Sequence, residues 1–219
     1  MIREEELETE GGLQRRLERH AYDRLIILSD GVFAIAITLA AFEIKAPANW
    51  RDLADLWAQL QFPVFAYLLS FGMVASYWNG QRTLFARLVR VDAPLTLLAL
   101  LQLLFIALIP VATELFYDHS KKIGSPTIYF ATLAACGYVT AALWFYAALR
   151  PAMVHPQSRA RDYWERFAKA LVVPLALTGF AATGGFSTAS VAGTVALLLV
   201  RRLVLWRLSP AAGLGVAQK

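Results

Sequence analysis

The sequence predicts an all-α membrane protein with six transmembrane helices per subunit. Three observations carry that expectation: an apolar composition, six separate stretches of bilayer-spanning length, and a one-sided distribution of lysine and arginine. Of the 219 residues, 58% are hydrophobic and 17% charged, and the mean hydropathy of +0.51 lies well above that of a soluble domain.

A bilayer core about 30 Å thick needs about 20 mostly apolar residues per helix. Stretches of that length, bounded by charge or turn residues, run from Tyr22 to Ile44, Leu56 to Asn79, Ala93 to Phe116, Pro126 to Leu149, Phe167 to Thr183 and Ser187 to Leu205. The first follows a charged N-terminal segment, MIREEELETEGGLQRRLERH, which lacks an early apolar core and so does not resemble a cleaved secretory signal. Its acidic start is expected as a solvated or frayed tail. The last two are separated by TGGFSTAS (Thr183–Ser190), read as a turn because Phe167 to Leu205 is too long for one span. No internal duplication of the first three spans is visible in the last three, which weakens an inverted-repeat transporter.

Positive residues are retained on the cytoplasmic side of a membrane. The N-terminal segment through Arg24 holds five, the turn from Arg82 to Arg90 three, the connection from Arg150 to Lys169 five and the tail from Arg201 four, whereas the opposite connections hold only Lys45, Arg51, Lys121 and Lys122. Both termini are therefore expected in the cytoplasm, with residues 1–21 and 209–219 as tails and residues 22–208 as the membrane domain. This placement accounts for the net charge of +5 without a nucleic-acid partner.

Catalytic chemistry is not expected. His20, His119 and His155 fall in connections, Cys136 stands alone in an apolar stretch, and no metal-binding, nucleophile-elbow or phosphate-loop spacing is present. Asp30 and Asp92 lack a G-x-G-D type signature, and no T-V-G-Y-G loop offers a carbonyl filter. No cofactor or metal is called for.

The first span is the informative one. Helical spacing lines up Leu28, Gly31 or Val32, Ile35, Thr38 or Leu39, and Phe42 on one stripe, suited to packing, lipid or a pore. Gly31, Ala34, Ala36, Ala40 and Ala41 allow close helix approach and favour an interior position. Arg24 can snorkel toward the interface. Asp30 lies more than a turn inside and demands a donor, for which Arg24 of a neighbouring copy, Trp78, Gln81 and Arg82 are candidates. The Thr38 hydroxyl can face a pore or bond back to the Ala34 carbonyl. Glu43, Asp52 and Asp55 at the outer end can concentrate cations or simply be solvated.

The run RLIILSDGVFAIAITL from Arg24 resembles the R-x-x-x-F-S-D signature and following segment of the bacterial relatives of transmembrane protein 175, the endolysosomal potassium channel. AAFEIKAP (Ala40–Pro47), YWNGQRTLF (Tyr77–Phe85) and ALIPVATELF (Ala107–Phe116) extend the likeness through the first half; the second half fits mainly by span count. The resemblance implies a homotetramer around a central pore lined by first helices, passing potassium in preference to sodium across a prokaryotic inner membrane, with membrane lipid as its other partner. It assigns Arg24, Ser29, Asp30, Trp78 and Gln81 to a hydrogen-bond network, Ile35, Leu39 and Phe42 to an apolar constriction, and Thr38 to the lining beside it. Two positions depart from the family pattern: Leu28 replaces the signature phenylalanine, and Gln81 stands where histidine is usual, losing a titratable group. The rival readings are a proton-coupled transporter with Asp30 as relay acid and a nonconducting membrane scaffold.

Overall fold

The computed structural model describes residues 2–118, 124–155, 159–184 and 193. They form α1 (Ile2–Phe42), α2 (Leu53–Phe85), α3 (Ala93–Asp118), α4 (Ser125–Leu149), a 3-10 turn (Pro151–Met153) and α5 (Ala160–Ala182). Four of these helices are long and apolar enough to cross a membrane, over Arg19–Phe42, Leu53–Phe85, Ala93–Tyr117 and Ser125–Leu149. The chain is a multi-pass membrane protein.

Two differences from the sequence expectation have physical reasons. Helix α1 starts at Ile2, so the segment expected as a frayed tail continues the first span as helix; its glutamates, leucines and arginines are strong helix formers. At 41 residues α1 is about 60 Å long, twice the bilayer core. Helix α5 begins seven residues before the expected span, and its early turns carry Arg161, Asp162, Glu165, Arg166 and Lys169, which keep it out of the strongly apolar set. The sixth expected span, Ser187 to Leu205, lies outside the described residues.

Helix starts are locally encoded. Asp52 caps α2 by accepting from Asp55 N–H at 2.8 Å, while the Asp55 carboxylate accepts from Arg51 N–H at 3.0 Å, a reciprocal arrangement related to the capping box. Asp92 caps α3 by accepting from Leu95 N–H at 3.0 Å, and its second oxygen accepts from the Tyr146 hydroxyl on α4 at 2.5 Å. Before α4, Gly124 adopts φ 103°, a left-handed conformation that favours glycine.

Helix α4 is the hub, with 61% of its apolar window buried, against 28% for α1 and 17% for α2. Two apolar clusters stack along it. In one, Phe33, Val74, Ile106, Ile109 and Leu133 surround a stacked Phe116–Tyr129 pair whose rings are 4.6 Å apart. In the other, Leu25, Leu84, Leu88, Leu95, Trp144 and Tyr163 join α5 to the α2–α3 connection. Buried hydroxyls pin the helices where lipid offers no alternative partner. Ser70 on α2 lies 2.8 Å from Thr113 Oγ1 on α3 and 2.9 Å from the Tyr129 hydroxyl on α4, and Gln102 Nε2 donates to Thr140 Oγ1 at 2.8 Å.

Outside the membrane the α1–α2 connection is tied down twice. Lys45 Nζ sits 2.8 Å from Glu114 Oε1, a bond that raises the lysine pKa above its ordinary value. The Tyr117 hydroxyl donates to the Glu43 carbonyl.

Candidate functional site

Helix α1 carries the candidate site because it has two unlike faces. Leu25, Ser29, Phe33, Ala36 and Ala40 recur every three or four residues and are buried against the subunit. The opposite stripe is open: Leu28, Ile35, Leu39 and Phe42 are 49%, 58%, 46% and 82% exposed, and Thr38 lies among them. A single subunit thus leaves unpartnered the stripe that the spacing picked out in the sequence.

Thr38 Oγ1 turns back along its own helix, donating toward the Ala34 carbonyl at 3.1 Å and the Ile35 carbonyl at 2.9 Å. That engages the hydroxyl proton only. The oxygen lone pairs remain on the exposed face, where a cation is an acceptable partner and an anion is not.

At the other end of the span the polar residues meet across α1 and α2. The Trp78 indole N–H donates to Asp30 Oδ1 at 2.8 Å, and the Arg82 guanidinium lies 5.3 Å from the Trp78 ring centroid, a cation–π contact. Ser29 is buried and donates to Leu25 O at 2.8 Å within its own helix, so it does not bond to α2. Arg24 is exposed and reaches neither Asp30 nor Trp78 within the subunit. Gln81 is 3% exposed, and its Nε2 has no hydrogen-bond partner among the described residues. Ser29, Asp30, Trp78, Gln81 and Arg82 line a cleft of about 180 Å³ between the two helices.

Sequence reasoning missed Tyr22. Its hydroxyl donates to the Phe85 carbonyl at 2.6 Å, and its ring closes one side of the same cleft. The signal was available in principle, since a tyrosine at the start of a span is a natural interfacial anchor, but its acceptor is a backbone atom 63 residues away. Also missed were Ser70, Gln102 and Thr113, all buried polar residues inside apolar runs. Among the described residues no group of three His, Cys, Asp or Glu side chains is arranged to hold a metal ion.

These features define a class: an all-helical, multi-pass membrane protein whose first helix presents an open apolar stripe and is anchored by a polar head. Comparison with known proteins narrows the class. The family model described as endosomal/lysosomal potassium channel TMEM175 matches residues 24–110. A potassium channel of Streptomyces collinus is 32% identical over 130 residues, 56% of this chain and 63% of the relative. One of Chryseobacterium is 39% identical over 94 residues, 42% of this chain and 46% of the relative. An endosomal/lysosomal proton channel TMEM175 of Bos taurus is 30% identical over 209 residues, covering 83% of this chain and 43% of that protein. The crystal structure of a lysosomal potassium-selective channel TMEM175 homolog from Chamaesiphon minutus superposes with a TM-score of 0.65 at 21% identity, over 87% of this chain and all of that one. Residues 24–110 thus match the TMEM175 family model, and the chain is similar to bacterial potassium channels over part of its length. It spans less than two thirds of the length of the first two relatives, and none of these relatives is named as an enzyme.

Proposed function

We propose that the chain is the subunit of a potassium-preferring cation channel that has no carbonyl filter and closes at an apolar constriction of α1. The observation that carries this reading is the open stripe of Leu28, Ile35, Thr38, Leu39 and Phe42 on a helix whose other face is buried. The names of the relatives as potassium channels support it.

In this reading residues 22–208 form six spans with both termini cytoplasmic in a prokaryotic inner membrane, and four copies assemble with first helices around the axis. Four Ile35 side chains then make a ring that excludes water and with it a hydrated ion, and Leu39 and Phe42 continue the constriction. Opening moves the helices apart or rotates them, and a cation beyond Ile35 meets the Thr38 oxygens. No cage of carbonyls replaces the hydration shell, so the preference for potassium is modest and set by the ease of dehydration. The Trp78–Asp30 bond holds α1 against α2, with Ser29 and Gln81 beside it in the same cleft. Arg24 is exposed, bonds to no side chain among the described residues, and meets Asp30 of a neighbour in this reading.

Reconstitution into liposomes under opposed potassium and sodium gradients tests the reading, with wild type compared against Ile35→Asn. A polar ring wets more readily, so the variant passes more current than wild type, and an unchanged conductance removes Ile35 from the gate. Flux that saturates at low millimolar ion and needs a coupling proton moves the assignment to a carrier with Asp30 as relay acid. No flux under any gradient leaves a membrane scaffold.

A further inference from the structure

Backbone pairing draws two connections together on the arginine-rich side. Leu88 and Val154 form an isolated antiparallel bridge, with Val89 N–H donating to Met153 O at 2.9 Å and His155 N–H donating to Arg87 O at 3.0 Å. Leu88, Met153 and Val154 bury with Trp144 and Tyr163 in one apolar cluster. The α2–α3 connection, the 3-10 turn and the first turns of α5 are therefore one packed unit.

That unit holds two like charges together. Arg87 and Arg166 are both half-buried; Arg87 adjoins the bridged Leu88, and Arg166 lies less than a turn after Tyr163, both buried in that one cluster. Neither has a carboxylate within 4 Å among the described residues. The Arg166 guanidinium lies 5.3 Å from the Trp144 ring centroid, and Asp162, one turn earlier, is the opposing charge that acts on it. Burial and, after it, Arg87 push the Arg166 pKa below its ordinary value. Arginine is also the cation best shaped to donate two bonds to one phosphate.

Depth identifies the anion's source. Trp164 and Phe145 pack edge to face at 5.7 Å and are 43% and 40% exposed. Exposed tryptophan marks the headgroup layer of a membrane protein, and Trp164 is two residues from Arg166, about 3 Å along the helix axis. Arg166 thus lies within one turn of an exposed tryptophan.

We propose that Arg87 and Arg166 form a binding site for the phosphate of an anionic phospholipid of the cytoplasmic leaflet. The site lies apart from the α1 stripe, and its test reads binding and not ion flux.

The test follows the melting temperature of the full chain in neutral detergent while phosphatidylglycerol, phosphatidylcholine of the same acyl chains, or inorganic phosphate is added. Phosphatidylglycerol raises the melting temperature saturably and the other two do not. Arg87→Gln and Arg166→Gln each weaken the apparent affinity for phosphatidylglycerol about fivefold. Arg161→Gln, whose guanidinium is already 3.1 Å from Glu165, leaves it within about twofold. If the glutamine variants do not fold, Arg87→Lys and Arg166→Lys replace them; they keep the charge, lose the two-pronged donor and weaken binding by a smaller factor. Equal stabilisation by phosphatidylcholine, or wild-type affinity in the variants, overturns the proposal. Equal stabilisation by inorganic phosphate overturns the lipid as the source in favour of a soluble anion.

Discussion

The Trp78 indole N–H donates to Asp30 Oδ1 across the α1–α2 contact at 2.8 Å, joining residues 48 apart in the chain. Hydrogen bonds to charged acceptors contribute about 1.5–3 kcal/mol when buried; Asp30 is exposed in the single subunit, so the lower end applies. Trp78→Phe and Asp30→Asn are each expected to destabilise the detergent-solubilised protein by about 1.5 kcal/mol. The double variant should lose less than the sum, with a coupling of similar size. Strict additivity in denaturant unfolding would show that the bond does no work.

The Ser70 triad makes an asymmetric prediction. Ser70 donates to Ala66 O at 2.8 Å and Thr113 donates to Ile109 O at 2.8 Å, which leaves the Tyr129 O–H to donate to Ser70. Tyr129→Phe deletes one bond and orphans nothing, so its effect is about 0.6 kcal/mol, typical of a hydroxyl pair between membrane helices. Ser70→Ala leaves the Tyr129 hydroxyl buried and unpartnered, at about 1–3 kcal/mol. Thermal unfolding of the two variants should rank Ser70→Ala as the more damaging.

Much of α1 was legible and much of its anchoring was not, for one reason. A 3.6-residue period is local, so the stripe of Leu28, Ile35, Leu39 and Phe42 stands out in the sequence, and its complement, Leu25, Ser29, Phe33, Ala36 and Ala40, is the face the subunit buries. The bonds from Tyr22 to Phe85 O and from Tyr146 to Asp92 depend on how helices 54 or more residues apart are rotated against each other, which no local pattern encodes. The helix runs on before the span because the glutamates and arginines that keep this segment out of the apolar set also favour helix.

Glycines 80 and 137 look alike in sequence and differ in space. A Cβ on Gly137 would meet Pro174 Cβ at 2.9 Å, where α4 and α5 cross, whereas one on Gly80 would meet Thr140 Cγ2 at an ordinary 3.6 Å. Gly137→Ala gains about 1 kcal/mol in helix propensity and loses about 1–3 kcal/mol to overpacking. Gly80→Ala keeps the gain alone. Melting temperatures should therefore move in opposite directions, down for Gly137→Ala and up for Gly80→Ala.

Gln81 offers a test of the cleft by restoring a titratable group. Its Nε2 is buried without a partner beside Ser29, Asp30 and Trp78, and a glutamine amide does not titrate. Gln81→His places an imidazole in the same cleft, where burial disfavours its charged form and the Asp30 carboxylate favours it. These terms oppose, and imidazole is the side chain whose charge is most easily tipped near neutral pH. Protonation there adds a charge next to the bond that holds α1 to α2. Liposome flux of the Gln81→His protein should gain a pH-dependent component that the wild type lacks, and the added component should vanish in Gln81→His combined with Asp30→Asn. Identical pH profiles for wild type and Gln81→His would show that this cleft does not communicate with the α1 stripe.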